Sequence, residues 1–341
     1  MESPGARRRR ARRARRHPFP LVALAVVAAA GVTAGGTAYV GARAHPGAGA
    51  VSSAATPSAS SSPATAGEEA SVEPATSTSA VARKASLSRA MRSVTVPSGA
   101  RVSAAVFDPD SGDGAVDGGD AFDTASIVKV DVLAALLLQA QDAGRQLTDA
   151  EKAYASKMIE NSDNASTTAL WHTIGRAEGL DAANRRFGLG STSGGAGGLW
   201  GLTQTTAADQ LRLLRQVFTA DSLLSAASRA YVRGLMESVE PDQRWGVSAA
   251  APGSSPALKN GWLPRSTTGL WDVNSIGRVR VDGADYLVAV LSEGTVSKAR
   301  GIALVEDAAK AAVSGFVSAS TPASTPAASS SASASAGPSA S

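Results

Sequence analysis

Cysteine is absent from this sequence of 341 residues, and histidine occurs only three times. The lack of cysteine excludes disulfides, a thiolate nucleophile and cysteine-ligated zinc. His172 is the only histidine after residue 45, and one histidine cannot build a histidine-ligated metal centre. No Gly-x-Ser-x-Gly turn is present to join it in a catalytic triad. We therefore interpret His172 as a packed helix residue, and we predict neither a metal nor a cofactor.

The body of the chain also lacks an excess of positive charge. The formal net charge is +4, but residues 1–16 contain eight arginines and a single glutamate. Those residues contribute +7, which leaves −3 for the rest of the chain. A basic face that binds nucleic acid is therefore not predicted.

Two long stretches lack large apolar side chains. Ser, Ala, Thr and Pro dominate residues 45–85 and 319–341, a composition that cannot bury a core. We predict a disordered linker and a disordered tail there. The sequence between them, residues 86–318, has the length of one domain built from two lobes.

The amino terminus has the pattern of a membrane-targeting segment. An arginine-rich stretch, residues 1–20, precedes the apolar residues 21–44. Arginines stay on the cytoplasmic side, so the chain after the apolar run is directed outward. A run of about 20 apolar residues can span a bilayer, whereas the small residues around Ala42 are typical of a cleavage site. The sequence predicts a single-pass membrane anchor or a cleaved signal peptide, with the domain outside the cytoplasm in both cases.

The apolar periodicity of the remaining chain changes twice, from strands to helices and back to strands. This order predicts an α/β fold of the α+β sandwich type. Strands from both ends of the domain form one antiparallel sheet flanked by helices, with an inserted all-helical lobe and a pocket between the two. The strands are predicted at 101–108, 115–116, 270–281 and 285–291, and the helices at 86–93, 126–143, 148–159, 165–174, 179–187, 206–218, 221–236 and 297–317.

The long apolar helix opens with the motif Ser126-Ile-Val-Lys129. Residues three apart share a helix face, so the Lys129 amine can reach the Ser126 hydroxyl. A lysine desolvated at the root of a helix has a lowered pKa and can act as the base that activates a hydroxyl nucleophile. The alternative is a helix-capping serine followed by a solvated lysine.

Two further motifs follow in the chain. Ser162–Asn164 has the sequence Ser-Asp-Asn, and Lys259–Gly261, with the sequence Lys-Asn-Gly, leads into the last strands. Taken singly, the first is equally typical of a helix cap and the second of a turn. In this order, however, the three motifs resemble the Ser-x-x-Lys, Ser-Asp-Asn and Lys-Thr-Gly signature of class A β-lactamases and penicillin-binding proteins. The resemblance extends over residues 86–317 and implies a β-lactamase/transpeptidase-like fold.

The resemblance implies catalytic roles for four side chains. Ser126 attacks a carbonyl and becomes the acyl-enzyme, with Lys129 as the base. Ser162 relays a proton to the leaving nitrogen, and Lys259 supplies positive potential for this relay and for a substrate carboxylate. Asp163 is interpreted as structural. The implied substrate is a β-lactam or a D-alanyl amide of a peptidoglycan stem peptide.

The resemblance also implies four substrate-binding positions. Asn164 is expected to bind the amide side chain of the substrate, and the backbone N–H of Trp262 to join that of Ser126 in an oxyanion hole. Gly261 belongs to the third motif. Asn260 replaces the usual Thr there, and its amide can still bind a carboxylate.

One feature of the class A enzymes is missing. They use a loop Glu to activate the water that hydrolyses the acyl-enzyme, but residues 188–200 contain no acidic residue. We therefore expect acylation followed by slow deacylation. Two alternatives remain open. One is a penicillin-binding D,D-peptidase or slow-release penicillin sink, and the other is a non-catalytic cell-wall-binding module on the same fold.

Overall fold

The computed structural model describes residues 76–319, with side chains from residue 79 onward. The predicted cytoplasmic and membrane segments (residues 1–20 and 21–44), the linker up to residue 75 and the tail after residue 319 lie outside these residues. No helix between residues 76 and 319 is long and apolar enough to cross a bilayer.

Five strands form one antiparallel sheet, and two short strands pair separately. Near-continuous apolar runs favour strands that are buried on both faces. The strands are β1 (Arg101–Phe107), β2 (Gly114–Asp117), β3 (Phe122–Asp123), β4 (Gln204–Thr205), β5 (Ala257–Pro264), β6 (Trp271–Val281) and β7 (Ala284–Thr295). The sheet order is β2-β1-β7-β6-β5, and β3 pairs with β4.

The two ends of the domain share this sheet, which confirms the predicted topology. β1 pairs antiparallel with β7, with Arg101 opposite Glu293. β6 and β7 form a hairpin whose turn residues, Asp282 and Gly283, have φ angles of 50° and 85°, as a tight hairpin turn requires. β5 was not among the predicted strands. It forms the edge of the sheet next to β6, so the third motif lies on an edge strand rather than in a turn.

The helices of the described residues form the predicted inserted lobe and the flanking layer. They are α1 (Thr76–Met91), α2 (Val128–Asp142), α3 (Asp149–Glu160), α4 (Asn164–Thr173), α5 (Arg176–Phe187), α6 (Ala207–Phe218), α7 (Ala226–Glu237) and α8 (Lys298–Ser318). In the lobe, α2 contacts α3, α4, α5 and α7, whereas α1 and α8 pack against each other.

The start of α1 corrects a predicted boundary. The helix begins at Thr76 rather than at residue 86, so the last part of the predicted linker is helical. Its carboxyl-terminal half buries Leu87 and Met91. Gly315 of α8 permits this packing, because a Cβ there would lie 2.5 Å from the Cβ of Ala90. The first turns, rich in Ser and Thr, carry no apolar pattern that predicts a helix.

The start of α2 also differs from the prediction. The sequence placed Ser126 in the first turn of this helix, but a 3-10 turn over Ala125–Ile127 precedes α2, which begins at Val128. Ser126 therefore lies at the junction between β3 and the most deeply buried helix of the lobe.

Candidate active site

The turn that carries Ser126 has a strained backbone. Ala125 has a φ of 47°, in the left-handed region that costs a residue with a side chain about 1–2 kcal/mol. Such a conformation persists only where the surroundings impose it. Here the buried amide of Asn274 on β6 donates to the carbonyl oxygens of Asp123 at 2.8 Å and Thr124 at 3.0 Å. The sheet therefore fixes the backbone that leads into Ser126.

Gly261 on β5 lets the edge strand approach this turn. A Cβ added at Gly261 would lie 2.7 Å from the nitrogen of Ser126 and 2.7 Å from the oxygen of Thr124. Any other residue would push the strand away from Ser126. The glycine of the third motif thus has a steric role, which lets the next residue, Trp262, line the same cleft as Ser126.

The Lys129 side chain is fully buried, as the sequence predicted, but its contacts differ. Its Nζ donates to the carbonyl oxygen of Ser162 at 2.6 Å and to Oδ1 of Asn164 at 2.8 Å. Within the described residues no hydrogen bond joins this nitrogen to Ser126, so the predicted contact is not formed in this structure. The amine is directed instead toward the second motif, where the carbonyl oxygen of Ser162 and the side chain of Asn164 accept its hydrogen bonds.

Burial lowers the pKa of Lys129 to about 7, and the nearby Asp163 carboxylate opposes this shift. A substantial fraction of the amine is therefore neutral near pH 7. A neutral amine offers two N–H groups, which the Ser162 carbonyl and the Asn164 amide oxygen accept. Its lone pair then remains for a hydroxyl proton, and the hydroxyl of Ser162 lies 3.0 Å away. In this state Lys129 is a base.

Ser162 joins the two lysines of the site. Its hydroxyl oxygen lies 2.9 Å from Nζ of Lys259 and 3.0 Å from Nζ of Lys129. Lys259 is also fully buried; burial and the charge of Lys129 lower the pKa of Lys259. The structure therefore brings three of the four predicted catalytic side chains into one hydrogen-bonded chain, which can pass a proton.

Asp163 and Asn164 begin α4. The Asp163 carboxylate accepts from the N–H of Ser166 at 2.7 Å; the hydrogen bonds from Ser166 lower the pKa of Asp163. This is a helix cap, and it agrees with the structural role predicted for Asp163. Asn164 lines the cleft together with Ser126. Its proposed contact with a substrate amide stays a prediction.

The Asn260 side chain is used inside the domain. It is 1% exposed and donates to the carbonyl oxygens of Gln243 at 2.6 Å and Trp245 at 3.0 Å. Its amide hydrogens are therefore already bonded inside the domain, which leaves no free donor here for the predicted contact with a substrate carboxylate. Successive side chains of a strand point to opposite faces, and it is Lys259 that turns toward Ser162.

Trp262 forms part of the cleft wall and is held from behind by two contacts. Nζ of Lys298, at the start of α8, lies 3.6 Å from the centroid of the Trp262 ring, within the range of a cation–π interaction. The ring of Trp245 lies 5.9 Å away in a tilted arrangement. Burial lowers the pKa of Lys298. These contacts fix the indole, and with it the end of β5 beside Ser126.

The cleft in front of Ser126 has a volume of about 570 Å3. One wall is the loop before α6 and the other is the end of β5 with the turn that follows. Among the described residues, those that line the cleft include no Asp or Glu. They are Ala125, Ser126, Asn164, Gly198, Leu199, Trp200, Gly201, Leu202, Trp262, Leu263, Pro264, Arg265, Ser266 and Thr267.

The acidic residues near the loop hold its backbone instead of facing the cleft. Oδ2 of Asp209 accepts from the N–H of Ser191 at 2.7 Å, and Oδ1 of Asp181 accepts from the N–H of Gly194 at 2.7 Å. The loop places Trp200 beside the buried base, with its ring centroid 5.1 Å from Nζ of Lys129. An indole cannot accept a proton from water.

Arg265 is the cation of the cleft lining, and its charge is compensated. Its guanidinium donates to the carboxylate of Asp123, and its Nε lies 3.8 Å from a carboxylate oxygen of Asp272. Burial raises the pKa of Asp272 to about 6, against the effect of Arg265, so Asp272 is ionised above that pH. The guanidinium therefore adds no net positive charge to the cleft.

Sequence reasoning missed two residues of the site. Asn274 holds the nucleophile turn, and the signal for it is an amide within an otherwise apolar strand, since a buried polar group needs partners. Trp200 contacts the base, and no local pattern predicts this contact. Within residues 76–319 no group of three or more His, Asp or Glu side chains is arranged to hold a metal ion.

Comparison with known proteins gives both a family and a fold. The sequence model of the β-lactamase enzyme family matches residues 86–316. The structure of PBP-A is 20% identical, with a TM-score of 0.59 over 69% of this chain and 96% of that one. A mutant of PBP-A, solved as an acyl-enzyme complex with penicillin G, is 21% identical, with a TM-score of 0.58 over 69% of this chain and 97% of that one.

A class A β-lactamase from Bacteroides cellulosilyticus DSM 14838 is 17% identical, with a TM-score of 0.60 over 69% of this chain and 99% of that one. A search of curated protein sequences finds no match. The solved structures share the fold, which agrees with the predicted antiparallel sheet and flanking helices. With the family match over most of the described residues, the chain belongs to the β-lactamase enzyme family.

Proposed function

We propose that this protein is a serine acyl hydrolase that acts on β-lactam or D-alanyl peptide amides through an acyl-enzyme on Ser126. The observation that carries the proposal is the pair of buried amines, Lys129 and Lys259, which meet at the hydroxyl of Ser162 beside the cleft that Ser126 lines. A buried amine with no compensating carboxylate in contact is costly. A catalytic role of these amines explains why the fold retains them.

The acylation step follows from these contacts. Neutral Lys129 takes the proton of the Ser126 hydroxyl, and the serine oxygen bonds to the substrate carbonyl carbon. The hydrogen bond between these two groups has to form when the substrate is bound, as hydrogen bonds of a catalytic base often do. The backbone N–H groups of Ser126 and Trp262 stabilise the oxyanion. The C–N bond then breaks, and Ser162 donates its proton to the leaving nitrogen and regains one from the lysines.

Deacylation is expected to be slow. It requires a base for the attacking water, and the described lining of the cleft offers no carboxylate. This favours the second candidate function, a penicillin-binding D,D-peptidase or slow-release penicillin sink, over efficient turnover of antibiotics. A non-catalytic wall-binding module is less well supported, because such a module has no use for an amine with a pKa of about 7 at Lys129.

A fluorescent penicillin tests the proposal. We expect covalent labelling of the wild-type domain and none of Ser126→Ala, whereas Ser266→Ala, a serine of the same cleft, keeps the label. Mass spectrometry then follows the lifetime of the adduct. An adduct lasting many minutes supports the penicillin-binding function, and rapid steady turnover removes it. An unlabelled wild type that binds peptidoglycan equally with Ser126→Ala supports the non-catalytic module.

The same proposal places the domain outside the cytoplasm, tethered to the cell membrane or secreted. It rests on the arginine-rich residues 1–20 and the apolar residues 21–44. Fractionation of cells that express the full chain tests it. Recovery in the membrane fraction after carbonate washing supports an anchor, recovery in the medium supports cleavage, and recovery in the cytoplasm contradicts both.

A further inference from the structure

The position of Ser162 predicts how a substrate is oriented in the cleft. Ser162 delivers a proton to the leaving nitrogen in the proposed reaction, so the leaving group lies at the end of the cleft where Ser162 bonds to Lys259. β5 runs from Lys259 past Trp262 to Pro264. The acyl half of the substrate therefore extends the other way from Ser126, toward the carboxyl-terminal end of this strand.

Both walls at that end carry large apolar side chains, although Ser266 and Thr267 add two hydroxyl groups after the strand. The loop contributes Leu199, Trp200 and Leu202, and the strand contributes Trp262, Leu263 and Pro264. Leu199 is 58% exposed, and apolar surface of this kind inside a concave site is typical of a ligand-binding wall.

Charge does not offset this apolar character. The described cleft lining contains no carboxylate, and its one cation, Arg265, is already bound by Asp123 and close to Asp272. A charged acyl substituent would lose water there without gaining a free partner of opposite sign. An uncharged apolar substituent would bury its surface between the two walls.

We propose that this end of the cleft selects amides whose acyl group carries a bulky, uncharged, apolar substituent, such as an aryl-acetyl group. The inference rests on the proposed function and narrows its substrate class. It places the selectivity on the acyl side of the scissile bond. On the leaving side the predicted carboxylate contact of Asn260 is not available.

The inference is tested with a set of penicillins that share one nucleus and differ only in the acyl substituent. The set is benzylpenicillin, with an uncharged phenylacetyl group; carbenicillin, with an added carboxylate; ampicillin, with an added ammonium; and 6-aminopenicillanic acid, with no acyl group. The second-order acylation constant of each is measured by competition with a fluorescent penicillin at pH 6.5, where the α-amino group of ampicillin is protonated. We expect benzylpenicillin to exceed each of the others by roughly tenfold or more, as burial of a phenyl group without charge implies.

Two variants locate the effect. Leu199→Asn should reduce the preference for benzylpenicillin over carbenicillin several-fold. Leu223→Asn, which alters a leucine that is 45% exposed and lies outside the cleft lining, should leave the preference unchanged. Equal constants across the four compounds overturn the inference while the proposed function stands, and so does a preference that survives in Leu199→Asn. No adduct with any compound overturns the proposed function and the inference with it.

Discussion

At the scale of single residues, the pKa of Lys129 makes acylation dependent on pH. Burial lowers this pKa to about 7, and only the neutral amine accepts the serine proton. The acylation rate should therefore rise about tenfold per pH unit below 7 and level off above it. Stopped-flow labelling between pH 5 and 9 measures this profile. Lys129→Arg, which stays protonated, should abolish the reaction, whereas Lys152→Arg, at an exposed lysine, should leave it unchanged. A flat profile contradicts a lysine base.

Asn274 provides a second test at this scale, because it holds the backbone before the nucleophile. Asn274→Ala removes the two hydrogen bonds to the carbonyls of Asp123 and Thr124 and releases the strain at Ala125. We expect the limiting acylation rate to fall on the order of 10–100-fold, because small misplacements of reacting groups slow a reaction by factors of this size. The half-saturating penicillin concentration should change little.

Ser275→Ala is the matched control for Asn274. This neighbouring buried serine accepts from the N–H of Val247 at 2.9 Å, away from the nucleophile turn. Its loss should lower the melting temperature without lowering the acylation rate. If both variants slow acylation equally, Asn274 acts only through the stability of the domain.

At the scale of elements, the loop before α6 decides the fate of the acyl-enzyme. Trp200 lies in the cleft wall, with its ring 5.1 Å from Nζ of Lys129. Trp200→Glu introduces a carboxylate close to the ester of Ser126, where it can activate water. We expect deacylation to become at least about tenfold faster, measured as the lifetime of the penicillin adduct. The control is Trp200→Gln, because Gln has the shape of Glu but cannot act as a base. Equal lifetimes of the penicillin adduct in the two variants would argue against this prediction.

The elements themselves were largely predictable, and the exceptions have physical causes. The apolar run of α2 and the alternation in β1 identify their elements directly. The first turns of α1 are not visible, because their stability comes from packing of later turns on α8. β5 is not visible because Lys259 and Asn260 interrupt its apolar pattern, and both are buried through partners distant in the sequence.

The site was predictable in its members but not in its contacts. Three motifs gave Ser126, Lys129, Ser162 and Lys259, and three of these side chains share one hydrogen-bonded chain. The direct contact between Ser126 and Lys129 is not formed, because the amine of Lys129 bonds to Ser162 and Asn164, which follow much later in the sequence. The turn that carries Ser126 is set by the left-handed Ala125. No local pattern encodes that φ angle, which depends on β5 and β6.

At the scale of the whole molecule, one buried acid makes stability depend on pH. Asp131 of α2 is fully buried, and burial raises its pKa to about 7. Between about pH 4 and pH 7 the folded state keeps a proton that the unfolded chain releases, so this group lowers stability as pH rises, by about 4 kcal/mol at most. Asp131→Asn should remove the effect and make the domain more stable than wild type at pH 7.5.

Urea unfolding at pH 4.5 and pH 7.5 measures the difference. The free energy of unfolding of Asp131→Asn should exceed that of wild type only at the higher pH. Asp149→Asn, at an acid whose side chain is fully exposed, should show no such gain. A constant difference between Asp131→Asn and wild type at both pH values would mean that Asp131 is ionised in the folded protein.

The pairing of β1 with β7 has a consequence for biosynthesis. Arg101 and Glu293, hydrogen-bonded across these strands, are 192 positions apart, and Gly261 and Asn274, which shape the turn at Ser126, also come late in the chain. A nascent polypeptide that has emerged only as far as α7 contains Ser126 and Lys129 but neither strand that aims them. The serine therefore becomes reactive only after the last strands leave the ribosome, and truncated products released early carry no acylating centre.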